Sequence, residues 1–558
     1  MPSDKSVSNK KRVDDQRSKL EKSSENQIDN EQMGAKLLAA CADGDFHAVR
    51  HLLKRGAVVD TRNEDGSTPL ITAAENGNAD IVKLLLKNGA LVDAVNKDGW
   101  TALLQASDEG HDDVVSALLK KNADINIRLP NGDSALHLAC EEGHKDVVKI
   151  LIAYDADIDA VNEVGNTPLI DAGDEDGIVR VLLKNGASID ATNNEGWTAL
   201  LQASDEGHED VVALLLKNGA AINAQLPNGE TSLHLASEEG HVDVVKILLA
   251  CGALTDLADN DGDTPLLAAA ENGHTDVVKL LLKNGASVDT INNQGWTALM
   301  QAADEGHASV VKLLIKNGAS MDKQVLDGHT ALHFACEEGH LDVAKALIAD
   351  NAAIDLADED GDTPLTSAAA NGHAAVVKLL LKGGAEIDWC TTEQWTSLMG
   401  ASEHGHIDVV KVLLGEGASS ARQNAEGLTA LHIASTNRRL DVVEALLDHG
   451  VPIDVFDEDG NTALFEAIAK GYTEIVKVLL DHGASVAQTN NAGWTCLMKA
   501  AGRGSSSLVK LLQKKGSGTS LVDSQLPSGA TALNIACEQG QLDVVVVLSR
   551  CEHERAVA

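Results

Sequence analysis

Aromatic side chains are scarce: four Phe, two Tyr and six Trp make up 2% of 558 residues. A core built on aromatic packing is therefore excluded, and small aliphatic residues must supply the buried area. Basic charge is also short, with 45 Lys+Arg against 85 Asp+Glu and a formal net charge of -40. Nucleic-acid phosphates and anionic membrane surfaces repel such a chain, so a basic or neutral protein is the expected partner. The eight cysteines include no CxxC pair. Four of them (Cys41, Cys140, Cys336, Cys537) fall at one equivalent place of a repeat, which points to small core residues rather than metal ligands or disulfides. No apolar run approaches the ~20 residues needed to span a bilayer, and the opening MPSDKSVSNKKRVDDQRS has no apolar signal region. The expectation is a cytoplasmic chain without membrane insertion, in which Lys10-Lys11-Arg12 is solvated tail.

What the sequence does have is repetition. WTALLQASDEGH at Trp100 returns unchanged at Trp197, and close copies start at Trp296, Trp395 and Trp494. The steps are 97, 99, 99 and 99 residues, and two further repeats lie between successive tryptophans. The basic period is thus 33 residues, in three flavours (TPL, WTAL and ALH) that form a 99-residue super-repeat. Five such blocks start at 67, 166, 263, 362 and 461 and fill residues 67–558. A degenerate capping repeat at 34–66 precedes them, about sixteen repeats in all. Residues 1–33, with seven basic and seven acidic residues and scattered apolar ones, read as a disordered charged tail. Tandem duplication of a three-repeat block explains the super-period without any functional demand.

One repeat, DGDTPLLAAAENGHTDVVKLLLKNGAS, shows the local logic. Asp261-Gly262 makes a tight turn, Thr264 caps a helix and Pro265 fits its first turn. Leu266, Leu267 and the alanines form a short first helix, which Gly273-His274 breaks. A second helix carries Asp276 near its start, Lys283 near its end and an apolar stripe of Val277, Val278, Leu281 and Leu282, and Gly285 ends it. Two helices this short cannot bury that stripe alone, so stacking on neighbours, a solenoid, is required.

TPLLAAAENGH…VVKLLLKNGA and SALHLACEEGH resemble ankyrin repeats, and the resemblance covers residues 34–558. It implies an all-helical fold: helix–loop–helix repeats with projecting short β-hairpin fingers, stacked into a superhelix. The family binds proteins on the concave face, formed by fingers and first helices, and has no common catalytic site. Some repeats depart from the pattern. The one from Asn166 is two residues short, with Asp176-Gly177 where four residues are usual, so its loop and second-helix start should be curtailed. Gln394 replaces the turn glycine before Trp395, Arg438-Arg439 replaces Gly-His, and the repeat from Trp494 is three residues long in excess around 517–520.

Twenty histidines invite a metal or catalytic reading. Nine occupy the loop (111, 144, 208, 241, 274, 307, 340, 373, 406) and four the ALH box (137, 234, 333, 432). One per repeat, at roughly a helix diameter of ~10 Å, cannot close a zinc site unaided. Structural hydrogen bonding is the expected role, with no metal, cofactor or catalytic residue. The two residues before the loop glycine face the concave side by the family pattern. They are acidic in 14 of 16 places from Glu75 to Glu338, including Asp108-Glu109, Glu141-Glu142, Asp205-Glu206, Glu238-Glu239 and Asp304-Glu305, but in only 2 of 12 from Ala370 onward. Generic solubilising charge does not explain why the acids leave one surface halfway along. These pairs read as solvated, without the burial that acid–base catalysis needs.

The tryptophans at 100, 197, 296, 395 and 494 occupy a variable, concave-facing position by resemblance. Each is either a partly exposed interface anchor or packed on the neighbouring finger. Trp389 lies off this register and has no assigned role. The function expected is a protein-interaction scaffold or adaptor with Trp for contact area and carboxylates for steering basic, partly apolar segments. A targeting or regulatory subunit of a phosphatase, kinase or ubiquitin ligase complex, and a structural spacer, are the alternatives. The last helix, LDVVVVLSRCEHERAVA, has Val546 where other repeats carry lysine. It is expected either to continue into a further segment or to self-associate through Leu542–Leu548.

Overall fold

The structure, a computed structural model, describes residues 30–516 and 521–557. The expected tail lies outside the described residues at 1–29, whereas 30–33 already belong to a helix over 30–42. The excess residues 517–520 also lie outside them. Two compact bodies divide between residues 260 and 261, and each is built from the same helix pair.

In the repeat from Asp263 the first helix is Pro265–Glu271 and the second Thr275–Lys283. Proline at the start of the first helix gives up an N–H that would have no partner there. In the second helix Asp276 sits in the first turn and Lys283 in the last, each matching the helix dipole. Gly285 then reverses the chain at φ +96. Threonine holds the N-cap in extended geometry, and in the repeat from Ser67 its hydroxyl accepts from Ile71 N at 3.3 Å. At Thr264 and Thr167 the same buried hydroxyl has no partner, so there the expected cap is one of backbone shape only.

First helices pack on first helices and second on second. Pro69–Glu75 lies against Ala102–Asp108, which lies against Ala135–Glu141; behind them run Ala79–Lys87, Asp112–Leu119 and Lys145–Ala153. Three of the four stripe residues, Val277, Val278 and Leu281, are 0% exposed, each stabilising by about 1.5–3 kcal/mol, while Leu282 is half-buried. Cys41, Cys140 and Cys336 are buried as expected, and burial pushes the Cys41 thiol up to about 12. Cys537 is exposed instead, because no further helix pair covers it among the described residues.

Three polar ties recur between neighbouring repeats. The loop histidine donates from Nε2 to the carbonyl 36 residues earlier: His111 to Glu75 O (3.0 Å), His144 to Asp108 O (2.7 Å), His241 to Asp205 O (2.8 Å), His307 to Glu271 O and His340 to Asp304 O (2.6 Å). The ring needs room, and Gly110 provides it: an added Cβ would meet His144 Nδ1 at 2.5 Å. Where Arg439 replaces the histidine, its guanidinium makes the same bond, Nε to Glu403 O (2.7 Å), and in the repeat from Trp494, which has Ser505 at the histidine place, Arg503 two residues earlier reaches the equivalent carbonyl, Nη1 to Ala469 O (2.6 Å). The second tie is a carboxylate. Asp60, Asp93, Asp190, Asp289, Asp322 and Asp355 each accept the backbone N–H 31 residues on. Part of the negative charge is thus structural. The third is the ALH histidine. Its Nδ1 accepts from the capping residue, as at His137 from Ser134, and its Nε2–H donates to the next repeat, Asn166 O at 3.1 Å.

The fingers are closed by turns rather than by strand ladders; isolated bridges such as Arg128↔Ser134 and Gln225↔Thr231 mark them. Adjacent fingertips share one backbone bond, as from Lys97 N to Asp65 O (3.0 Å) and Asn293 N to Asp261 O (2.9 Å). Gln394 and Arg438 adopt the glycine conformation, at φ +61 and +60, so these departures keep the path of the chain at a local steric cost.

The repeat from Asn166 is short in a different place from the one expected. Its second helix, Asp176–Lys184, keeps nine residues, while its first, Pro168–Asp171, has four where seven are usual. Glu175 stands where the loop histidine belongs, and His208 in the next repeat turns to Glu206 Oε2 (3.0 Å) instead of a carbonyl 36 residues back. Two consecutive histidine ties are lost. Asp171 occupies the place of Ala268 and is half-buried; Oδ1 accepts from Asn166 Nδ2 (2.7 Å) while the buried Oδ2 has no partner. Burial, with Asp133 and Glu141 nearby, pushes its carboxyl up to about 7.

A quasi-one-dimensional fold opens first at its poorest interface. Amides over 171–177 should therefore exchange faster, relative to intrinsic rates, than those of the matching segment 268–276. Asp171→Ala, the residue the regular copy uses, should narrow the gap. Equal protection of the two segments in the parent would contradict the weak joint.

The buried histidines set a pH dependence. Burial lowers His333 from 6.5 to about 4 in the folded chain, so only the unfolded chain gains this proton between those values. Its contribution is complete above pH 6.5 and is lost as pH falls through that window, on the order of 3 kcal/mol. Asn534 does the capping job in the last repeat (Thr531 N to Asn534 Oδ1, 2.9 Å). In His333→Asn the protection of helix Ala331–Glu337 should therefore lose most of its dependence on pH between 4 and 6.5, and an unchanged dependence would contradict the assignment.

Candidate protein-interaction face

The fingers and first helices position the tryptophans by a local device. Four residues before each Trp a polar side chain closes the finger. Asn96 Oδ1 accepts from Trp100 N (2.9 Å) while Asn96 N donates to Trp100 O (3.0 Å). Asn193, Asn292 and Asn490 do the same for Trp197, Trp296 and Trp494, and Thr391 uses its hydroxyl for Trp395. The sequence reading missed these residues, although their fixed offset from each tryptophan was visible.

All five rings are half-buried. Trp197 packs on Leu201 of its own repeat and on Leu226 and Leu235 of the next. Trp296 stacks on Phe334 with ring centroids 4.2 Å apart and planes at 28°. These rings therefore rest on the neighbouring repeat and keep a solvent-facing part as well. Trp389 has a tie of its own, Nε1–H donating to Gly361 O at 2.8 Å.

The acidic pairs divide by burial. Asp108, Asp205 and Asp304 are half-buried, whereas Glu109, Glu206 and Glu305 beside them are exposed, as are Glu141, Glu142, Glu238 and Glu239. The solvated state expected for the pairs is therefore corrected for the first member in each Trp repeat. Burial raises the carboxyl of Asp108, and Glu142, Glu109 and Glu141 add repulsion that His144 partly offsets. Asp205 is raised by burial, then by Glu239 and Glu206; Asp304 by burial, then by Glu338, Glu305 and Glu337. Carboxylates of successive repeats repel along one face, a field that an incoming cation relieves. Among the described residues no His, Cys, Asp and Glu group is placed to hold a metal ion, and no helix is long and apolar enough to cross a membrane.

Beside the last two tryptophans the face is indented. A groove of about 430 Å³ is lined by Trp395, Gly400, Asp360, Asp362, Glu393 and Glu403, among others. Its counterpart 99 residues on, of about 530 Å³, is lined by Trp494, Lys499, Lys470, Phe465 and Glu466. There Lys499 Nζ lies 5.9 Å from the Trp494 ring centroid and 5.7 Å from that of Phe465. In the last helix Leu542 is 77% and Val546 50% exposed.

A family model for ankyrin repeats in sets of three matches residues 37–128, 123–193, 172–259, 250–325, 317–392, 398–490 and 485–556. Among solved structures, the crystal structure of the human ASB11 ankyrin repeat domain is 32% identical, covering 40% of this chain and 99% of that one with a TM-score of 0.37. Among curated proteins none matches. Ankyrin repeats mediate protein–protein interaction. With helix pairs, turn-closed fingers and matches spanning almost every residue from 37 to 556, the chain belongs to the ankyrin-repeat family.

Proposed function

We propose that this protein is a non-catalytic, cytoplasmic scaffold or adaptor that binds partner proteins on the face made by its fingers and first helices. The observation that carries the reading is the pairing in each early Trp repeat of a half-buried indole with a half-buried, charge-strained aspartate: Trp100 with Asp108, Trp197 with Asp205, Trp296 with Asp304. An indole already resting on Leu226 and Leu235 is held in place, so little conformational freedom is lost when a partner covers its remaining surface. The exposed glutamates beside it steer basic segments toward the face. The partner is a basic, partly apolar protein segment.

Self-association is a second reading, favoured by the exposure of Leu542 and Val546 on one helix. Light scattering of Val546→Lys against the parent tests it: a lower apparent mass in the variant supports it, and identical monomers overturn it.

For the main reading, the partner that co-purifies stoichiometrically with the full chain is the probe. Trp197→Ala should speed dissociation by about 30-fold, the equivalent of ~2 kcal/mol. Asp205→Asn with Glu206→Gln should slow association at low salt and flatten its salt dependence, leaving dissociation nearly unchanged. Unaltered kinetics in both variants would show that the acidic Trp face takes no part in binding.

A further inference from the structure

The two grooves beside Trp395 and Trp494 are copies of one another displaced by 99 residues, and they differ at one decisive position. In the second, Lys499 reaches from the first helix to place its ammonium over the Trp494 ring and beside Phe465. In the first, the residue at that position is Gly400. The remaining Trp repeats carry glutamines there, Gln105, Gln202 and Gln301, and two of them are engaged: Gln202 Nε2 donates to Glu206 Oε1, and Gln301 Nε2 to Glu271 Oε2 at 3.2 Å. Only at Trp395 does this position carry no side chain.

The charge around the vacant position is that of a cation receptor. Asp360, Asp362, Glu393 and Glu403 line the Trp395 groove, whereas the copy carries Asn461 in place of Asp362, Ala492 in place of Glu393 and Lys470 nearby. His404 also lines the Trp395 groove, with Nδ1 turned to Gly400 O at 3.1 Å. Asp362 is half-buried, and burial followed by Asp358 and Asp360 holds its carboxyl above the ordinary range while Thr366 opposes the shift. A cation brought into the groove gains attraction from these carboxylates and from the ring face of the tryptophan together.

We infer that the groove at Trp395 receives the ammonium of a lysine side chain from a partner protein, in the place that Lys499 fills from within the chain 99 residues later. The inference rests on the protein-interaction reading and refines it. Trp395 becomes a lysine-reading position, and Trp494 is a copy closed by its own lysine. Lysine rather than arginine is indicated by the occupant of the copy, whose four-carbon stem carries its ammonium to the ring.

The test uses the full chain with ¹⁵N-labelled indoles and a capped Gly-Gly-Lys-Gly-Gly peptide as probe. Norleucine and arginine versions serve as controls, and Trp395→Phe assigns the resonance. The Trp395 indole signal should shift saturably with the lysine peptide, less with arginine and not with norleucine. Gly400→Lys should weaken that shift by about tenfold or more. An added Cβ at Gly400 meets Ala370 Cβ at an ordinary 3.5 Å, so the substitution fits the helix. Glu393→Gln with Glu403→Gln, which leaves the helix position unchanged, should reduce both affinity and salt dependence. A Trp395 signal that ignores the lysine peptide, or responds equally to norleucine, overturns the inference. If in that case Trp197 and Trp296 still respond to the lysine peptide, the broader reading of the acidic face survives. If Trp395 responds while Trp197→Ala leaves partner kinetics unchanged, the groove stands and the broader reading falls.

Discussion

A nine-residue helix with Val-Val-x-x-Leu on one side has no way to keep that stripe dry except to lay it against another of its kind. In this chain the aromatic payload that could anchor a self-contained core is absent, so the contact between neighbouring repeats has to supply the burial. Everything regular in the structure follows from keeping that contact in register. The loop histidine reaches back 36 residues to a carbonyl, the finger aspartate accepts an N–H 31 residues on, and the ALH histidine joins its own cap to the next repeat. Each tie joins a polar side chain of one repeat to the backbone of a neighbour, and those of His137 and His144 do so in part-buried surroundings, where an unpaired group would be costly. Arg439 and Arg503 show that the bond matters more than the residue making it, since a guanidinium replaces the ring at the same carbonyl position.

The same register builds the face. Because neighbouring first helices stack directly, a side chain at one position of the repeat meets its counterparts in the adjoining repeats. Substitutions at that position then write a pattern along the surface. Burial, and then the glutamates of the same and the next repeat, raise the proton affinity of Asp108 and Asp205 before the loop glycine. A tryptophan every third repeat adds a half-buried indole beside them. At one first-helix position the groove beside Trp395 has Gly400 where its copy beside Trp494 has Lys499, whose ammonium lies over the indole. Interaction chemistry is thus varied without touching the contacts that hold the stack.

The helix pairs, their capping residues and the buried stripe were legible in the sequence because each depends on local chemistry repeated many times. The histidines' structural role followed from their spacing alone. What was not legible depended on how a local defect is absorbed. Two missing residues near Asp176 were expected to shorten the second helix. The second helix instead keeps the full stripe of Ile178, Val179 and Leu182, and the short first helix takes the loss. Burial of that stripe outweighs a few alanine contacts. The half-burial of Asp108, Asp205 and Asp304 was also hidden, because it is set by the neighbouring repeat's loop rather than by anything within the WTALLQASDEGH string. Thr264 and Thr167 show the limit of motif reading, since the capping residue is present and its hydroxyl bond is not.

The central claim is that partners are bound by the finger and first-helix face and read there by indoles and carboxylates. Hydroxyl-radical footprinting of the full chain, with and without its partner, tests this most directly, since indoles and phenols are sensitive reporters. The account predicts protection of Trp100, Trp197, Trp296 and Trp395. Trp494, whose groove Lys499 fills, and Tyr154, 40% exposed at the end of a second helix, should remain unchanged. Protection concentrated at Tyr154 and other second-helix residues, with all five repeat tryptophans as reactive as in the free chain, would contradict it.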